Sequence, residues 1–242
     1  MEKNEIVKSE IGSEAAWRGF STQILYIAKR LLTAENDDQL YPEQIEDLMI
    51  TRKERIIELV QVKNLSDDLS LSDLSPKKND SFFRRCLKFK KSEEICLKIV
   101  SFGNIGSELQ NMIKEKEKSS IYDKLLSYGY SENDTLWLLN HLEIEEIRES
   151  EIENSIKETM KKYVEIVACD LVKDNLIYYI YKLSREKGYT SKKCWEEKVN
   201  NIAKDLMAID SIQRQYQRTI IPPYDYKSLR ILILVIQLVK SC

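Results

Sequence analysis

The stretch from Glu46 to Lys63, EDLMITRKERIIELVQVK, constrains the fold more than any other part of the chain. Two strand-length runs rich in Ile, Leu and Val flank a charged TRKE, a pattern that predicts a β-hairpin. Period-two alternation sets Ile57, Leu59, Gln61 and Lys63 on one face of the second strand, and Glu58, Val60 and Val62 on the other. The face that Asp47 takes depends on the turn. A three-residue loop, Arg52 to Glu54, puts Asp47 across from Leu59 and so on the Gln61 and Lys63 face; a two-residue loop sets it against Val60.

The odd loop is the arrangement that makes a site, because it gathers a carboxylate, an amide oxygen and an ammonium at one end of a sheet. Such a trio suits metal-assisted phosphodiester hydrolysis. Carboxylate and amide oxygens are hard ligands for Mg²⁺, the metal polarises a phosphate oxygen and activates a water, and the lysine stabilises developing charge. With Gln61 in place of a second acid, the metal is expected to bind weakly until substrate phosphate adds its own oxygens.

Around the hairpin the pattern alternates between helix and strand. Ala16, Phe20, Ile24, Ile27, Ala28 and Leu31 recur at helical spacing, so an amphipathic helix is expected from Ala15 to Leu32. Gly19 inside it costs ~1 kcal/mol relative to alanine, which points to a close approach at that position. After the hairpin come a Ser/Asp-rich loop ended by Pro76, a short helix in SFFRRCLKFKK, and a buried strand in EICLKIVSFG stopped by Gly103 and Gly106. Helix, strand, strand, helix, strand make an α/β core. Beyond residue 106 the chain reads as helical. Ser131 with Asp134, and Ser150 with Glu153, fit helix-opening capping boxes, the second before a segment reaching about Arg185. Trp195, Val199, Ile202, Leu206 and Ile209 trace a last helix face, and Pro222 and Pro223 close that region.

At 242 residues with a net charge of −2, the chain has room for a sizeable core, and its overall charge neither favours nor excludes nucleic acid. Five scattered cysteines fit a reducing cytoplasm better than a disulfide framework or a zinc site. The charged N-terminus has no secretory core, and the run ILILVIQLV, residues 231 to 239, is too short to span a bilayer, which takes ~20 apolar residues. No membrane association is expected. His141, the single histidine, lacks the second histidine of a metalloprotease helix and suits a surface or cap role. The run RRCLKFKK carries Arg84, Arg85, Lys88, Lys90 and Lys91 within eight residues, a basic face able to neutralise phosphates.

Asp47 followed by Gln61-x-Lys63 resembles the PD-(D/E)XK nuclease fold, in the variant whose last acid is glutamine. With GSEAAWRGFSTQILYIAKRLL (Gly12 to Leu32) before PEQIEDLMI and LVQVK, the chain looks like the double-stranded DNA endonuclease domain of bacterial anti-phage effectors. That group includes the CD-NTase-associated nuclease effectors and the nuclease subunit of Lamassu-type complexes. Gly19, Phe20 and Gln23 match the family's Gly-aromatic-x-x-Gln helix.

The resemblance implies a restriction-endonuclease-like core over residues 1–106, a central mixed sheet flanked by helices, and a helical half over 107–212. An apolar tail follows over 213–242, a docking segment or the start of a further domain. It implies Asp47 and Gln61 as metal ligands, Lys63 as the catalytic lysine, Glu43 or Glu46 as an auxiliary acid, and Gln23 as support from the first helix. Mg²⁺ is the implied cofactor, with Mn²⁺ able to substitute. Double-stranded DNA is the implied substrate, and an SMC-like ATPase, a sensor domain or self-assembly the implied activator. The competing expectation is a non-catalytic assembly subunit with a degenerate nuclease fold, docked through the apolar tail.

Overall fold

In a computed structural model of the chain, residues 2–92, 94–161, 169–202 and 204 are described, and five strands form one mixed sheet in the order β1-β2-β3-β4-β5. The strands are β1 (Asp38–Pro42), β2 (Leu48–Arg52), β3 (Arg55–Lys63), β4 (Cys96–Ser101) and β5 (Leu142–Glu146). The first three are antiparallel, while β3, β4 and β5 run parallel. The helices include α1 (Glu2–Thr33), α2 (Phe82–Cys86), α3 (Ser107–Glu115), α4 (Ser120–Ser127), α5 (Glu132–His141), α6 (Glu149–Met160) and α7 (Cys169–Glu186), and residues 192–202 are helical as expected around Trp195 and Val199. The α/β class expected from the sequence is the observed one. The described residues up to 195 form one compact unit, and those from 196 belong to a second. The apolar tail, Pro222, Pro223, Leu206 and Ile209 lie outside the described residues.

The hairpin turns on two residues. Lys53 and Glu54 both have positive φ, 49° and 65°, the handedness whose twist matches the flanking strands. Arg52 therefore pairs with Arg55, and Thr51 with Ile56. Ile50 then pairs with Glu58, so Ile57 is an extra residue in a β-bulge.

The two faces of the sheet have different chemistry. α1 covers the face carrying Glu58 and Val60, and Arg30 pairs with Glu58 at 2.5 Å. Lys98 of β4 reaches Glu58 at 3.4 Å and Glu143 of β5 at 3.5 Å, and Lys29 reaches Glu145 at 3.1 Å. The opposite face is apolar. Met49, Leu59, Leu97 and Ile99 pack there with Phe82, Phe83, Leu109, Leu125 and Leu138. Full burial of Phe82 and Phe83 contributes roughly 1.5–3 kcal/mol each. These two rings fix α2, whose first turn is capped by Ser81 accepting from the Arg84 N–H at 3.3 Å.

Four sequence expectations are corrected. β1 forms over Asp38–Pro42, where no strand was expected, and pairs along the edge of β2. β5 lies in HLEIEE, inside the half expected to be helical. Its glutamates look helical to a pattern search, but the parallel ladder of β4 recruits Leu142 to Glu146 as an edge strand. At Gly19 a Cβ would meet nothing within 4 Å among the described residues, so no close approach among them explains the glycine. Ser131 caps α5 as expected, accepting from the Asp134 N–H at 3.1 Å. The second box is shifted: α6 starts at Glu149, and the Arg148 N–H donates to Glu151 rather than Ser150 pairing with Glu153.

Candidate functional site

The parallel strands β3 and β4 end together, and the β1–β2 loop, Glu43 to Asp47, bends over that end. Carboxyl ends of parallel strands are where α/β sheets commonly place ligand sites. Continuing the β2–β3 register one step past Leu48 and Val60 sets Asp47 opposite Gln61. The even turn alone would have separated them. The bulge at Ile57 supplies the missing residue and restores the shared face, an outcome neither sequence alternative contained.

Asp47 is anchored through the backbone. Its Oδ2 accepts from the Val62 N–H at 2.6 Å, leaving Oδ1 for another partner. Burial pushes its carboxyl up to about 6, with Glu43 and Glu46 adding repulsion, while the Val62 N–H and Lys63 act the other way. Among the described residues, the buried Gln61 Oε1 has no hydrogen-bond partner, a costly condition for an amide oxygen. Lys63 makes no ion pair among the described residues, yet its charge acts on both Asp47 and Glu46.

Gln23 reaches the loop from α1. Its Nε2 donates to the Glu43 carboxylate and, at 3.4 Å, to the Asp47 carbonyl. Glu43 itself sits at φ 55°, a left-handed conformation that is strained for a side chain of its size, and its own N–H donates to the Asp47 carbonyl at 3.2 Å.

Glu46 is engaged elsewhere. Its side chain is 1% exposed and is held by Arg85, Nε on Oε1 at 2.5 Å and Nη2 on Oε2 at 2.6 Å. Burial raises the Glu46 carboxyl against the opposing pull of that pair. The basic helix is therefore not one continuous phosphate-binding face. Arg84 stacks on the Tyr130 ring at 3.7 Å and donates to the Tyr128 carbonyl at 2.9 Å; Lys90 pairs with Asp134 at 2.8 Å. Lys88 and Lys91 are exposed. His141 Nδ1 lies 2.7 Å from the Trp137 carbonyl, and its ring stacks on Trp137.

Among the described residues, no group of three His, Cys, Asp or Glu side chains is arranged to hold a metal. Asp47 Oδ1 and the partnerless Gln61 Oε1 are nevertheless hard oxygens at one strand end, a donor pair that fits Mg²⁺ or Mn²⁺ when water and phosphate complete the shell. The Arg85 contact with Glu46 had no signal in the sequence, because 39 residues separate the two.

No protein-family model matches the chain, and no curated protein matches it in sequence. Solved structures with a related course of chain include the Moraxella osloensis Cap4 SAVED/CARF-domain containing receptor, at 16% identity and a TM-score of 0.46, over 71% of this chain and 44% of that one. The Acinetobacter baumannii Cap4 receptor with the cyclic trinucleotide 2'3'3'-cAAA gives 15% identity and a TM-score of 0.49, over 82% of this chain and 46% of that one. The chain thus spans less than half the length of these receptors. No helix among the described residues is long and apolar enough to cross a membrane.

Proposed function

We propose that this chain is a metal-dependent endonuclease that hydrolyses phosphodiesters of double-stranded DNA, as an effector in bacterial anti-phage defence activated by a partner or by self-assembly. The observation that supports it most is the register that sets the half-buried Asp47 opposite Gln61 at the end of β3, where the buried Gln61 Oε1 has no hydrogen-bond partner among the described residues. A folded chain leaves an amide acceptor dry and unpaired only at a cost, and a divalent cation offsets that cost.

Asp47 and Gln61 would hold the cation, whose chemistry when bound is to polarise a phosphate oxygen and lower the pKa of a coordinated water. Asp47 would bind it as a carboxylate whose orientation the Val62 N–H fixes. Lys63, two residues along the same face as Gln61, places its ammonium where negative charge accumulates on the phosphate. Gln23 and Glu43 keep the loop that carries Asp47 closed over the strand end.

Supercoiled plasmid incubated with the purified chain and Mg²⁺ or Mn²⁺, over a range of protein concentrations, tests the reading. The wild type is expected to nick and linearise it, and Lys63→Ala to lose ~100-fold or more, the usual scale for removing a charge-stabilising group. Equal cleavage by the two overturns the assignment.

A further inference from the structure

We propose that Arg85 and Glu46 form a latch released by substrate: a backbone phosphate of duplex DNA takes the Arg85 guanidinium, and the freed Glu46 carboxylate joins Asp47 and Gln61 on the divalent cation. This rests on the nuclease reading of the site and adds to it a coupling between DNA and metal.

Four observations carry it. The grip is bidentate, through Nε and Nη2 of Arg85, and its Nη1 is occupied by the Asp80 carbonyl. The two partners differ in access, because the Arg85 side chain is 32% exposed and that of Glu46 1%, so an incoming anion meets the guanidinium first. Phosphate presents the same paired oxygens to a guanidinium fork as carboxylate does, so the exchange preserves the hydrogen bonds of Arg85. Glu46 precedes Asp47 directly, and the two carboxylates, Lys63 and Arg85 act on one another electrostatically as a single cluster.

Release and metal loading must go together. A carboxylate buried as deeply as Glu46 is costly without a counter-charge, so Arg85 leaves only when a cation can replace it. With the latch closed, the cation has too few protein ligands to bind tightly. Metal binding therefore waits for DNA.

Mn²⁺ binding, read by electron paramagnetic resonance on the full chain carrying Lys63→Ala to block turnover, is measured with and without a short duplex. The duplex is expected to tighten Mn²⁺ by about tenfold or more, within the usual range of coupling between sites. Adding Arg85→Met should tighten Mn²⁺ without DNA and reduce the duplex effect to what the phosphate oxygens themselves supply. Adding Glu46→Gln to Arg85→Met should weaken Mn²⁺ again. Arg85→Lys, which keeps the charge but not the fork, should give intermediate coupling and serves if the methionine variant does not fold.

The latch is overturned if the duplex leaves Mn²⁺ affinity unchanged, if Arg85→Met keeps full coupling, or if the double variant binds Mn²⁺ as tightly as Arg85→Met. Intact coupling in a protein whose wild type and Lys63→Ala forms cleave plasmid equally would strike the nuclease reading and leave the latch standing.

Discussion

Replacing Asp47 by asparagine should make the protein more stable while removing its proposed activity. Burial raises the Asp47 carboxyl from an ordinary 3.8 to about 6. The folded state therefore binds the proton more tightly than the unfolded chain does, and stability falls as pH rises through the window from about 4 to 6. That gap of about two pH units, at ~1.4 kcal/mol each, amounts to ~3 kcal/mol of strain carried at pH 7.5. Asparagine fills the same space without ionising. It gives back ~1 kcal/mol through its weaker hydrogen bond from the Val62 N–H, so the expected gain at pH 7.5 is ~2 kcal/mol. Urea unfolding in chelator, at pH 7.5 and near pH 4, measures it. The gain should vanish near pH 4, where both proteins are neutral at this position. An Asp47→Asn variant no more stable than wild type at pH 7.5, or one whose advantage persists at pH 4, refutes the argument that this carboxyl is held in an unfavourable site for a ligand's sake.

Two further substitutions test the fold. Gly19→Ala, in an interior turn of α1 where a Cβ meets nothing among the described residues, should raise urea stability by ~0.5–1 kcal/mol. Gly106→Ala would bring a Cβ to 2.9 Å from the Leu69 carbonyl oxygen. Backbone cannot swing aside as a side chain can, so a loss of ~1–3 kcal/mol in the same assay is expected.

Much of the core was legible because its signals are local. The apolar stripe of α1, the alternation through Leu59, Gln61 and Lys63, and the Ser131 cap each depend on residues within one or two turns or along one strand. β5 was not legible for the opposite reason. Leu142 to Glu146 forms an edge strand only beside β4, and without that ladder its glutamates favour the helix that the pattern suggested. β1 likewise takes its structure from β2. The candidate nucleic-acid face divides in the same way: composition places Arg84, Arg85 and Lys90 together, but Tyr130, Glu46 and Asp134 claim them from distant parts of the chain.

By itself the sequence determined that this chain builds an α/β core around a hairpin ending in Gln61 and Lys63, because alternation along a strand is written residue by residue. Only the tertiary structure decided whether Asp47 meets them. A two-residue turn favoured by strand twist set the wrong parity, and the bulge at Ile57, a feature of how β2 and β3 pair rather than of any local residue pattern, corrected it.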